Sequence, residues 1–143
     1  MIRLASVYKT RFAEDILYRL LEERTPEQSI RHKRMPTKHE HHDFVESAPY
    51  RAWYLAMTNA DIPVGMVYLT KQNEIGLFVF NAHQGRGYGP QIYAEMRKRW
   101  NGRMLANINP ANTRSIRFFE KMGARLIQQT YEIGGVENGK DDD

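Results

Sequence analysis

The stretch that most restricts how this chain can fold runs from Ile75 to Trp100. An apolar segment, Ile75-Gly76-Leu77-Phe78-Val79-Phe80, leads to Gln84-Gly85-Arg86-Gly87-Tyr88-Gly89, and an amphipathic segment, Tyr88 to Trp100, follows. The order reads as strand, glycine loop, helix. A proline is tolerated only in a first helical turn, so Pro90 sets the helix start near Tyr88. Such a start leaves backbone N–H groups without internal partners and carries the positive end of the helix dipole. Glycines at 85, 87 and 89 accept unusual dihedrals and let the backbone approach an anion closely. Arg86 adds a fixed positive fork. The same layout also serves as a plain tight connection with no ligand. A P-loop is excluded because no Gly-Lys-Ser/Thr follows, and the dinucleotide fingerprint fails at Ile92.

The rest of the chain supplies a frame for that stretch. Ile2 to Tyr8 reads as a short strand. Phe12 to Arg24 is helical, with Phe12, Ile16, Leu17, Leu20 and Leu21 on one face, and Thr25-Pro26 ends it. Thr37-Lys38-His39-Glu40 is a capping box that opens a second helix to about Ser47, anchored by Phe44 and Val45. Strands at 51–57, 64–70 and 74–80 are joined by short turns, which implies an antiparallel meander. The helix after the glycine loop turns Ile92, Met96 and Trp100 inward. Arg103 to Ile108 reads as a fourth strand of this group. Asn112 caps a helix through Met122, with Gly123 just past its end, and Arg125 to Ile133 is a last strand. The order (β)ααβββαβαβ gives an α/β fold with a mixed, mostly antiparallel sheet and helices on both faces.

A chain of 143 residues suits a single domain, 1–133, followed by a glycine-rich acidic tail, 134–143, that buries little. The absence of cysteine excludes disulfides, thiolate catalysis and Cys-held zinc or iron–sulfur sites. No apolar run reaches the ~20 residues of a membrane helix, and no signal peptide is evident, so a cytoplasmic location is expected. The net charge of +4 suits a polyanionic ligand. Its basic residues are scattered without interleaved aromatics, which disfavours nucleic acid. The cluster His39-Glu40-His41-His42-Asp43 invites a metal, but H-E-x-x-H is missing, and a solvated helix face is the preferred reading.

Two motifs together resemble the GNAT superfamily of acetyl-CoA-dependent N-acetyltransferases. Gln84-Gly85-Arg86-Gly87-Tyr88-Gly89 matches the family's Q/R-x-x-G-x-G/A pyrophosphate loop. The segment from Asn109 to Ala124 is similar to its N-x-x-S-x-x-F-Y/F-x-x-x-G-F segment. The resemblance implies a sheet splayed beside the glycine-loop strand, with the pantetheine arm of acetyl-CoA lying against Leu77, Phe78 and Val79. It places the pyrophosphate on the amides of Gly85 to Gly89 at the helix start near Pro90, and the pantetheine amide on Asn112. Gln84, Arg86, Tyr88 and Phe119 complete the implied cofactor set.

The chain departs from the family where protons move. Phe119 stands where many members carry an acid tyrosine, and Asn107 where many carry a base glutamate; neither titrates near neutrality. Glu74, at the start of the glycine-loop strand, is the expected base, as in members that use a glutamate there. Tyr131 is taken first as the acid, with Tyr54 and Tyr68 as further candidates, and a thiolate can also leave with no acid. His32 and Tyr54 are the expected substrate contacts. The implied function is acetyl transfer from acetyl-CoA to a primary amine of a small molecule, an amino sugar or similar, in a ternary complex. A non-catalytic acyl-CoA-binding module and a protein N-terminal acetyltransferase stay open, as does a homodimer; no metal and no membrane partner are expected.

Overall fold

The computed structural model describes residues 1–25 and 34–134. Residue contacts divide the chain into two units: Met1–Glu23 with Pro36–Asn107, and Arg24–Met35 with Ile108–Asp143. The first holds β1 (Ile2–Ser6), α1 (Ala13–Glu22), α2 (Lys38–Glu46), β2 (Ala52–Thr58), β3 (Pro63–Leu69), β4 (Ile75–Val79) and α3 (Tyr88–Arg99); the second holds α4 (Thr113–Lys121). Among the described residues, no helix is long and apolar enough to cross a membrane.

The meander appears as expected. The sheet runs β1-β2-β3-β4 with every neighbour antiparallel. Cross-strand register sorts the side chains onto two faces, because successive residues alternate. Trp53, Tyr68 and Gly76 line up across β2, β3 and β4, and so do Leu55, Met66 and Phe78. This face packs with Ala13, Leu17 and Leu20 of α1 and Val45 of α2. The opposite face carries Leu4, Ala56, Val67, Leu69 and Ile75, all buried, as are Ile92 and Met96 of α3.

Local chemistry sets the helix ends. Thr37 closes the expected capping box with Glu40, whose side chain accepts from the Thr37 N–H at 2.9 Å. Asn112 caps α4 by accepting from the Ser115 N–H at 3.1 Å, and Gly123 follows with φ +96°. α1 begins one residue later than expected, because Phe12 is left-handed at φ 61°.

Three expectations change. The fourth strand reduces to one parallel bridge between Glu74 and Leu105, because Asn107, Asn109 and Pro110 favour turns soon after it. Residues 125–133 form no strand among the described residues, and Leu126 and Ile133 are 76% and 93% exposed. Trp100 lies beyond α3 rather than on its inner face. Its backbone is extended at φ −142°, and the Arg51 guanidinium stacks 5.0 Å from its ring.

Candidate active site

The site is built from the outer edge of β4 and the turn that follows it. The Phe80 N–H donates to the Val64 carbonyl at 2.9 Å and the Thr70 N–H to the Glu74 carbonyl at 2.8 Å. These bonds fix the phase of the ladder. Even-numbered residues of β4 address β3, and Ile75, Leu77 and Val79 turn their backbone groups to the other edge. Ile75 donates there to the Leu105 carbonyl at 2.7 Å. The bridge at Leu105 is not continued: within this unit, no described strand pairs with the edge past that point. An edge that opens after this one bridge leaves the Leu77 amide and carbonyl available to an extended ligand.

Gln84 and Glu23 hold the start of the turn. The Gln84 side-chain amide donates to the Val79 carbonyl at 3.1 Å and to Asn81 Oδ1 at 3.3 Å. Gln84 therefore braces the loop from within. Glu23, at the end of α1, accepts the Asn81 N–H on its Oε1 at 2.8 Å. Nothing in the sequence pattern separates this glutamate from its solvated neighbours, and sequence reasoning missed it. A cation–π contact of 5.2 Å between Arg19 and the Phe80 ring joins the same two elements.

Beyond Gln84 the loop is open. Gly85 and Gly87 have φ of +78° and +80°, and a Cβ on either would meet nothing within 4 Å. Gly87 is the N-cap of α3 and supplies no side-chain cap, so the amides at the head of that helix keep no side-chain acceptor. Arg86 is exposed beside them, Tyr88 and Gly89 are half-buried, and Pro90 occupies the first turn as expected. An uncapped helix start with left-handed glycines and a neighbouring guanidinium can hold a diphosphate.

Glu74 is half-buried at the opposite end of β4. Its N–H donates to Thr70 Oγ1 at 2.9 Å, which fixes the strand entry. The register puts its side chain on the α1–α2 face, with Gly76 and Phe78. Tyr68 lies over this face. An ideal Cβ on Gly76 would sit 2.1 Å from Tyr68 Cζ and 2.5 Å from its Oη, so the phenol occupies the place a side chain would take. Tyr50 stacks on Tyr68 with ring centroids 4.1 Å apart and planes 4° apart.

Tyr54 is on the opposite sheet face from Glu74, under the Arg99 guanidinium at 5.4 Å. Tyr131 is 77% exposed in the second unit and donates to Gln129 at 3.0 Å. Asn112 and Phe119 belong to that unit too, the first as the α4 cap and the second against Phe118 at 5.0 Å. His32 lies outside the described residues. The histidine cluster disperses: His39 pairs with Asp43 at 3.3 Å, His41 is buried against the Glu14 carbonyl at 3.0 Å, and His42 Nδ1 meets Glu14 Oε1 at 2.9 Å. That hydrogen bond to Glu14 raises the His42 pKa above its ordinary value. Among the described residues, no group of three such side chains could hold a metal ion.

A family model for the acetyltransferase (GNAT) domain matches residues 10–125. The chain belongs to the GNAT acetyltransferases. A curated relative, the peptidyl-lysine N-acetyltransferase YjaB of Salmonella typhimurium, is 31% identical over 84 residues, 59% of this chain and 55% of the relative. The chain thus spans about half the length of the curated relative it matches. The solved structure of yncA from Salmonella typhimurium, with its cofactor acetyl-CoA, has a TM-score of 0.67 at 19% identity, over 99% of this chain and 87% of that one. The GNAT family protein SP0256 from Streptococcus pneumoniae has a TM-score of 0.61 at 14% identity, over 94% and 98%. At these identities the two structures speak for the fold.

Proposed function

We propose that this chain moves the acetyl group of acetyl-CoA to a primary amine of a small molecule by direct attack in a ternary complex. The observation that carries the reading is the edge of β4, which opens past Leu105 and leads straight into an uncapped, glycine-led helix. Leu77, Phe78 and Val79 line the pantetheine arm, and the amides from Gly85 to Gly89, with Arg86 and the helix start at Pro90, take the diphosphate. The Leu77 N–H faces the thioester oxygen as it becomes an oxyanion; a preplaced donor of this kind is worth roughly 3 kcal/mol. Glu74 accepts the amine proton, directly or through water. Asn112 and Phe119 are further cofactor contacts by family resemblance. The reaction takes place in the cytoplasm.

A lysine side chain is the second acceptor reading, favoured by the peptidyl-lysine relative. A coenzyme A release assay with glucosamine, spermidine and a lysine-containing peptide separates the two. Binding of acetyl-CoA without turnover of any amine would leave a cofactor-binding module instead. Within an active enzyme, Glu74→Gln should lower kcat by about 100-fold with little change in KM for acetyl-CoA. An unchanged kcat removes Glu74 from the mechanism.

A further inference from the structure

We infer that Tyr68 is the proton donor to the departing sulfur, a role that rests on the acetyl-transfer reading above. Phe119 leaves the family's usual acid position without a titratable group, and the Tyr131 hydroxyl donates to Gln129 at 3.0 Å. Tyr68 is different in kind. Its phenol oxygen lies 2.5 Å from where a Gly76 Cβ would be, directly on the backbone of β4. Gly76 is the residue between Ile75, whose amide is taken by Leu105, and Leu77, the first edge amide past that bridge. The phenol therefore rests beside the place where a thioester oxygen meets the Leu77 N–H. Glu74 lies two residues before Gly76, just ahead of β4, and alternation puts it on the same face. One strand end thus gathers a base, an oxyanion donor and an acid.

The surroundings fix the phenol in that place. Tyr50 stacks flat on its ring at 4.1 Å, and Trp53 is its cross-strand neighbour, 4.7 Å from Tyr50. Gly76 matters for the same reason, since any side chain there would displace the oxygen.

The chemistry balances. The amine nitrogen forms a bond to the carbonyl carbon, and the carbon–sulfur bond breaks. The nitrogen gives its proton to Glu74 or water, and the sulfur takes one from Tyr68. The phenolate then recovers a proton from solvent, so amine and acetyl-CoA yield acetamide and free coenzyme A. A thiol ordinarily titrates near pH 8.5 and a phenol near pH 10, so full transfer to a free thiolate is uphill; the phenol helps by hydrogen-bonding the sulfur as charge develops on it, and departure does not strictly require it.

The test compares wild type with Tyr68→Phe, which keeps the ring and its stacking, using acetyl-CoA and the fastest amine among glucosamine, spermidine and a lysine-containing peptide. Expected is a fall in kcat on the order of 10-fold to 100-fold with KM for acetyl-CoA within about twofold. The wild-type profile should fall on the alkaline side as the acid loses its proton, and the variant should lose that limb. Gly76→Ala, which keeps the phenol but moves it, should reproduce the kcat loss. Equal kcat for wild type and Tyr68→Phe, or an alkaline limb that persists in the variant, overturns the assignment and leaves acetyl transfer standing. If wild type turns over none of the three amines, the acetyl-transfer reading fails and this role goes with it.

Discussion

Gly65 and Gly76 in the strands, and Gly85 and Gly87 in the loop, are the same residue kept for opposite reasons. In the strands the backbone is ordinary and the space is full. A Cβ on Gly65 would lie 2.2 Å from the Phe78 carbonyl oxygen, and one on Gly76 would enter the Tyr68 ring. In the loop the space is empty and the backbone is unusual, with φ near +80° at both positions. Strand glycines are fixed by what already surrounds them. Loop glycines are fixed by a dihedral that opens their amides to something yet to arrive.

The largest expected effect sharpens the strand side of this contrast. Gly65→Ala drives a methyl group into the β3–β4 backbone, which no rotamer change can relieve. It should lower stability by about 3 kcal/mol, read from urea midpoints. A shift below half that would mean the two strands can slide apart cheaply. Gly87→Ala meets no atom, only the left-handed dihedral, and should cost about 1 kcal/mol of stability. Its sharper signature is a raised KM for acetyl-CoA with kcat nearly intact. Gly87→Asn should recover most of the stability, since asparagine visits this region readily, but its side chain can cap the helix amides, so KM should stay raised. If Gly87→Ala leaves KM unchanged, the loop does not carry the diphosphate.

The smallest effect lies away from both pairs, where α2 meets α1. His42 has a raised folded-state pKa because Glu14 bonds its ring. The pair therefore contributes stability that is fully present below the unfolded value, 6.5, and is lost as pH rises through the folded value. The pair is solvent-exposed, so the effect is slight. Expected is a gap in urea midpoint between wild type and Glu14→Gln that is present at pH 5.5 and closes by pH 8. A gap that grows with pH would contradict the pairing.

The sequence makes the loop plain because glycine, proline and a charged residue each restrict the local backbone by themselves. The Thr37 and Asn112 caps are legible for the same reason. What escapes is whatever depends on two distant segments meeting. The strand expected over 103–108 had the right composition, but pairing needs a partner ladder, and only Leu105 reaches one. Trp100 fits a helical period yet leaves the helix before Asn101-Gly102. Tyr54 and Tyr68 look alike in the sequence; strand register alone sends them to opposite faces. The reason for Gly76 is invisible without Tyr68, and the reach of Glu23 is invisible without Asn81.

That last reach has a mechanical corollary. Because the carboxylate of Glu23, just past α1, is latched to the first amide of the turn, slack in one must be felt by the other. Cofactor capture should quieten the tail of the first helix: amide hydrogen exchange at Leu20–Glu23 ought to slow when acetyl-CoA is added, and Glu23→Ala ought to silence that response.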